Sequence, residues 1–210
     1  MIEENVQKLI ALGKKLVSSN LTIADGGNLS TYDASANEMT ITRSGVCLDE
    51  LDMDAFVSFK LDEEIPEAAS SETAMHLAGY RTRPDFLCLL HFHPQNAILL
   101  ATANIPIRTI TVDHTYYLAD KMARLAFIQP GTQELADACA TQFASGSDIL
   151  LLAHHGCLLG SDSIEWARHT ALNLEQAASM TRTLSSELDG NQIPNCPSSY
   201  MKHLKQAGVL

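Results

Sequence analysis

The 210 residues are 46% hydrophobic and 19% charged with only 11 Gly and 7 Pro, which excludes disordered, collagen-like and low-complexity chains. A single fold of this length buries roughly 70% of the surface its unfolded chain would expose, so a sizeable core is expected. Twenty-five acidic residues against 14 basic give a net charge of -11, which repels a phosphate backbone or an anionic bilayer. Neither nucleic acid nor a membrane is an expected partner, and an anionic small molecule must be held by a local site that works against the global field.

In chain order, Val6, Leu9, Ile10, Leu16 and Val17 recur at helical spacing among lysines and predict an amphipathic helix over 2–19. Ala24-Asp25-Gly26-Gly27-Asn28 reads as a turn, Met39 to Thr42 as a short strand, and Arg43-Ser44-Gly45 as a second turn. Ser70-Ser71-Glu72 opens a helix that Pro84 closes. Phe86 to His93 is an apolar run predicting a buried strand, followed from Pro94 to about Ala103 by a helix. Further strands are expected at Ile107 to Val112 and Asp148 to Ala153. Further helices are expected from Thr132 to about Ala144, from Ser163 to Leu188 before Gly190, and from Tyr200 to Lys205. Connections of such uneven length argue for a mixed sheet flanked by helices rather than a strict doubly wound one. No linker or repeat divides the chain, so residues 1–210 are expected to form one domain.

The five cysteines, Cys47, Cys88, Cys139, Cys157 and Cys196, are odd in number, widely spaced and free of any C-x-x-C pair. They read as reduced thiols, and the acidic start of the chain does not resemble a secretory signal, so a cytoplasmic location is expected.

The chemistry is concentrated in histidines. In His91-Phe92-His93, at the end of a predicted strand, period-two alternation points both imidazoles to one face and Phe92 to the other. Ala153-His154-His155-Gly156 ends a second apolar strand. Either cluster alone reads as readily as hydrogen-bonded histidines at a strand end. Together they favour a metal, because half of the eight histidines terminate two of the most hydrophobic strands, where an imidazole gains nothing from burial. His91, His93 and one of the His154/His155 pair would supply three nitrogens and leave a position open for water or substrate. That set suits Zn2+, and Co2+, Mn2+ and Fe2+ less exclusively. His76 and His169 fall inside helices, and a structural or surface role is expected for each.

The order Gly26-Gly27-Asn28-Leu29-Ser30, Thr42-Arg43-Ser44-Gly45, Ser70-Ser71-Glu72 with His76, His91-Phe92-His93-Pro94 and His154-His155-Gly156 resembles the class II aldolase/adducin-head family, most of all its fuculose-1-phosphate aldolases. The resemblance runs from about residue 5 to residue 185. It implies a three-layer α/β/α domain around a mixed, largely antiparallel sheet, assembled as a homotetramer with active sites at subunit interfaces. It also implies zinc ligands His91, His93 and His155, a catalytic carboxylate at Glu72, and a substrate-phosphate site at Asn28, Ser44, Gly45, Ser70 and Ser71. The implied reaction is cleavage of a ketose-1-phosphate, a small sugar phosphate, to dihydroxyacetone phosphate and an aldehyde through a metal-stabilised enediolate.

Serine hydroxyls, turn amides and a helix start form an anion site that needs no lysine, as a chain this acidic requires. Taken singly the glycine turns read as turns, Ser71 as a cap and Glu72 as a favourable charge in a first turn. Phe127 stands where the fuculose enzymes carry a tyrosine acid, and Tyr116 or Tyr117 is the candidate substitute. A 4-epimerase is disfavoured by Thr115 at its aspartate position. A methylthioribulose-1-phosphate dehydratase, a sugar-acid phosphate decarboxylase and a non-catalytic adducin-like module are the other readings, the last opposed by the intact His91, His93, His155 and Glu72.

Overall fold

The structure, a computed structural model, describes residues 2–188 and 192–208. Helix α1 (Ile2–Ser18) buries Val6, Leu9, Leu12 and Leu16 along one stripe. After it come β1 (Asn28–Asp33), β2 (Glu38–Thr42), a 3-10 turn at Met53–Ala55, β3 (Phe56–Lys60), α2 (Thr73–Thr82), β4 (Cys88–Phe92) and α3 (Gln95–Thr102). The second half contains α4 (Val112–Leu118), β5 (Met122–Leu125), α5 (Gln133–Ala144), β6 (Ile149–Leu152), β7 (Gly156–Ser161), α6 (Ile164–Leu184) and α7 (Ser198–Gln206).

Among the described residues, seven strands form one sheet in the order β3-β2-β1-β4-β7-β6-β5, with β5–β6 parallel and the other pairs antiparallel. Helices cover both faces, which makes the expected α/β/α arrangement. Strand β4 shows the alternation that separates them. Cys88, Leu90 and Phe92 join the core beneath α1, α3 and α6, whereas Leu89 joins the core beneath α2 and α5. His91, two residues on from Leu89, therefore faces the α2 side.

Four strands were not among those expected. β1, Asn-Leu-Ser-Thr-Tyr-Asp, is central yet polar, with Ser30 and Thr31 buried. β3 and β5 are short outer strands, and β7 is cut by Gly156 and Gly160. The strand expected at Ile107 to Val112 does not form. Thr111 instead caps α4, accepting from the His114 N–H at 3.1 Å, while Thr109 accepts from the Cys196 N–H and Arg108 donates to Thr181 Oγ1. The backbone groups a sheet neighbour would have used are thus partly taken.

Helix α2 begins at Thr73 rather than Ser70, because Ser70 N–H donates to Thr42 O at 3.2 Å and keeps that segment extended against β2. Helix α6 is capped by Ser163 as expected but ends at Leu184. There Ser185 and Ser186 hydroxyls donate back to the Thr181 and Thr183 carbonyls, competing with further helix. Gly190, expected to follow the helix, lies outside the described residues. The five cysteines are free thiols, and no helix among the described residues is long and apolar enough to cross a membrane.

Candidate active site

His91 is the penultimate residue of β4, fully buried, and His93 lies one residue beyond the strand. Because β4 sits between β1 and β7, His91 has Asn28 opposite it on one side and Leu158 on the other. His155 ends the three-residue loop between β6 and β7, where Leu152 pairs with Gly156. The reversal places His154 in the left-handed region, φ 61°. His154 is exposed, while His155 turns inward. The choice between the adjacent histidines is thereby made by the hairpin.

Donor atoms of His91, His93 and His155 all lie within 4.8 Å of one another. Their rings stand 4.7 to 5.8 Å apart. Glycine makes this crowding possible. A Cβ at Gly156 would sit 2.6 Å from His93 Cδ2 and 2.8 Å from Phe92 O, and one at Gly26 would sit 2.9 Å from His93 Nδ1. Gly27, at φ 92°, passes so close to β4 that a Cβ would meet the His91 carbonyl at 2.4 Å. The Gly26-Gly27 pair is therefore a close approach to the histidine strand as well as a turn.

Glu72 joins the cluster from the start of α2. It occupies the N-cap position without capping the helix through its side chain. Its Oε2 lies 2.9 Å from His91 Nε2, and its Oε1 lies 3.1 Å from His155 Nε2. Burial by itself would raise its pKa, but His155 and His91 outweigh that and hold the carboxyl well below the usual carboxylate range. Burial and the neighbouring His91 and His155 push the His93 imidazole down to about 4.

These side chains fit a divalent cation. His91 Nδ1 lies 3.0 Å from the Cys157 carbonyl, which only accepts, so Nδ1 carries a proton and Nε2 is the nitrogen turned to the cluster. That nitrogen meets a carboxylate oxygen at 2.9 Å and His93 Nε2 at 3.0 Å. Three imidazoles and an ionised carboxylate converge on one point, with His155 Nδ1 and Asn28 Oδ1 buried and lacking a hydrogen-bond partner. A nitrogen donor with its other ring N–H anchored on a backbone carbonyl is how metal-binding histidines are oriented.

Residues 7–181 match the family model described as Class II Aldolase and Adducin N-terminal domain. The chain belongs to this family. A curated relative, the 5-deoxy-D-ribulose 1-phosphate aldolase of Bacillus thuringiensis serovar kurstaki, is 31% identical over 182 residues, covering 85% of this chain and 84% of that one. The 3-oxo-tetronate 4-phosphate decarboxylase of Haemophilus influenzae is 24% identical over 95% of both chains. Among solved structures, the L-fuculose-1-phosphate aldolase of Thermus thermophilus superposes with a TM-score of 0.78 at 25% identity, covering 90% of this chain and 97% of that one. The sheet and flanking helices are the class II aldolase fold, and the chain is a metal-dependent lyase of that family whose relatives differ in substrate.

The residues expected to hold phosphate are gathered by the same contacts that delay α2. Ser44 N–H donates to Ala68 O, Arg43 bridges to Ala69, and Ser70 N–H donates to Thr42 O, which lays the Ser44-Gly45 turn beside Ser70 and Ser71. Ser44, Gly45 and Ser71 are exposed, and Ser70 is buried with its hydroxyl accepting from the Glu72 N–H at 3.4 Å. Asn28 is buried, and its amide donates to Glu72 Oε2 at 3.4 Å.

Tyr116 and Tyr117 are not brought to this cluster within the chain. They pack against Trp166, and Tyr117 lines a cavity with Asp148 and Ser161 at the opposite end of β6 and β7. Phe127 is 53% exposed with its ring 6.2 Å from that of the exposed His154. His114 caps α4 and contacts Gln176, a structural role. Sequence reasoning missed two neighbours of the site. Ser30 lies in a strand too polar to be expected, and Cys157 acts through its backbone carbonyl, which no side-chain pattern reveals.

Proposed function

We propose that this chain is a zinc-dependent aldolase of the cytoplasm, one domain over residues 1–210, that cleaves a ketose-1-phosphate to dihydroxyacetone phosphate and an aldehyde. The convergence of His91, His93, His155 and Glu72 at one point carries the reading. The three histidines would hold Zn2+, with other divalent transition metals fitting the same donors less exclusively. When bound, the ion supplies Lewis-acid stabilisation of the charge that develops on the ketose oxygens.

The rest falls to protein groups. Asn28, Ser44, Gly45, Ser70 and Ser71 bind the phosphate through amides and hydroxyls. Ser70 and Ser71 directly precede Glu72, so the phosphate grip and the carboxylate move as one unit. Cleavage removes the C4 hydroxyl proton, breaks the C3–C4 bond and adds a proton at C3; Glu72 is the group that carries the C3 proton. The fully packed His91 and its Cys157 anchor keep the acceptor set oriented throughout. A homotetramer with sites between subunits, as the resemblance implies, would let a neighbouring copy supply the group that takes the C4 hydroxyl proton in cleavage and returns it in the reverse direction, a role Tyr116 and Tyr117 do not reach in their own chain.

Phe127 favours a second reading on the same site. Its ring stands beside His154 with no hydroxyl to exchange a proton with the C4 oxygen, and decarboxylation of a sugar-acid phosphate forms no aldehyde oxygen that needs such a group.

Elemental analysis of the purified protein, with a panel of ketose-1-phosphates assayed for dihydroxyacetone phosphate release, separates the readings. About one zinc per chain with release from a panel member is expected. Zinc with release from none, and carbon dioxide evolved from a 3-oxo sugar-acid phosphate, retires the aldolase in favour of the decarboxylase. Failure to bind metal at all retires both.

A further inference from the structure

Strand β1 and helix α2 meet in rungs that repeat every two strand residues and every four helix residues. Asn28 contacts Glu72, Ser30 contacts His76, and Tyr32 stacks on Tyr80 with ring centroids 5.0 Å apart. The periods match: two strand residues rise about 6.7 Å and four helical residues about 6 Å. The middle rung is the strongest. Ser30 Oγ lies 2.7 Å from His76 Nδ1 and 2.7 Å from Tyr80 Oη, and all three residues are buried.

One hydroxyl proton serves both partners if Tyr80 donates to Ser30 and Ser30 donates to His76 Nδ1, which leaves the imidazole neutral with its proton on Nε2. Burial pushes that imidazole down to about 3, so it is neutral at ordinary pH. The first rung is weak by comparison, since Asn28 reaches Glu72 only at 3.4 Å. Glu72 lies at the very start of α2, where backbone N–H groups have no partner within the helix and the end frays most easily.

We infer that His76 is a positioning residue, whose bond from Nδ1 to Ser30 sets the register of α2 on β1 and so holds the Glu72 carboxylate at the three histidines. This rests on the proposed metal site. The other ring nitrogen, Nε2, is buried without a hydrogen-bond partner, so the bond from Nδ1 to Ser30 is the imidazole's one polar anchor. Here the partner is a strand residue two positions from Asn28, one helical turn beyond the carboxylate it serves.

The test compares S30A, Y80F, H76N and H76L with the parent, each loaded with Co2+ in place of Zn2+. The d–d absorption reports whether a carboxylate oxygen joins the imidazoles, and turnover is measured on the panel substrate. S30A removes few atoms and deletes the rung, so it remains informative if H76L fails to fold. Y80F removes only the outer bond and serves as a control for lost stability. H76N keeps an acceptor attached to Cγ, where Nδ1 stood.

S30A and H76L are expected to bind Co2+ with an altered spectrum and to lose roughly 10–100-fold in kcat with KM held. Y80F and H76N are expected to keep the parent spectrum and most of the parent kcat. Parent-like spectra and kcat in S30A overturn the inference while leaving the metal site standing. Equal losses in S30A and Y80F overturn it too, because stability alone then explains both. A parent that binds no Co2+ overturns the metal site and the inference together.

Discussion

Strands β4 and β7 have dense polar groups at both ends, and the two ends are built on opposite rules. At the far end Arg83 donates to Asp148 at 2.9 Å and to Asp85 at 2.7 Å, Lys121 lies 3.6 Å from Asp148, and Arg83 and Lys121 lie over the rings of Phe86 and Trp166. Donors there meet acceptors, and the guanidinium pKa is raised by Asp85, against burial, with Asp148 adding to it. At the near end His91 Nε2 faces a carboxylate and another imidazole at once, and Asn28 Oδ1 and His155 Nδ1 remain buried without a hydrogen-bond partner. The charged groups of the far end pair with one another and serve the fold. The near end becomes favourable only when a positive charge lies among its acceptors, as a site for chemistry must.

The sharpest way to break this contrast is His155→Ala, which removes a nitrogen from the near end. It is expected to abolish retention of stoichiometric metal and all turnover while leaving a folded protein, and elemental analysis after dialysis checks it. Glu72→Gln comes next. Metal is expected to stay while kcat falls on the order of 10²–10⁴-fold, and a parental rate in that variant removes Glu72 from the chemistry.

Gly156→Ala tests the crowding. Its Cβ would stand 2.9 Å from His91 Cε1 as well as against His93 and the Phe92 carbonyl. Forcing it in is expected to destabilise by about 1–3 kcal/mol, read by urea denaturation, and to weaken metal binding in a titration.

His76 gives a pH signature. Its folded pKa of about 3 lies below the roughly 6.5 of an unfolded chain, so the unfolded state takes up the proton first. Stability present above pH 6.5 is therefore lost as pH falls toward 3, by about 2 kcal/mol between pH 7 and 5. With chelator present, H76N is expected to show a correspondingly shallower loss in its urea midpoint.

The smallest effect belongs to the far end. Asp148→Asn breaks partly buried ion pairs and is expected to lower stability by about 1 kcal/mol, with kcat and metal content at parental values. A loss of metal in that variant would mean that the two ends are coupled and the contrast is wrong.

Much of the site was legible because its residues follow local rules. H-x-H at a strand end has one facing whatever surrounds it, and His154-His155 stood at the end of a second apolar run. The helices were legible for the same reason, since capping and amphipathic spacing act within a few residues: Ser163 starts α6 and Thr132 starts α5 by accepting from nearby N–H groups. β1 was hidden because its buried side chains are polar and are satisfied by α2, a partner more than forty residues away. The segment 107–112 looked like a strand because it is rich in β-branched residues, but only Ile107 of its apolar residues is buried, and its partners come from α6 and from Cys196.

The sequence by itself offered the candidate groups: two histidine clusters through spacing and backbone period, and a carboxylate with a set of hydroxyls and turn amides through the family resemblance. Tertiary structure supplied the geometry behind what the resemblance implied, turning His155 rather than His154 toward His91 and His93 and bringing Glu72 to them from a helix packed on a polar strand, and it alone decided that Tyr116 and Tyr117 lie at the other end of the sheet. The division is physical. Local dihedral and capping preferences act over a few residues, whereas the distance between two side chains from different segments depends on how sheet and helix surfaces pack, which no short stretch of chain encodes.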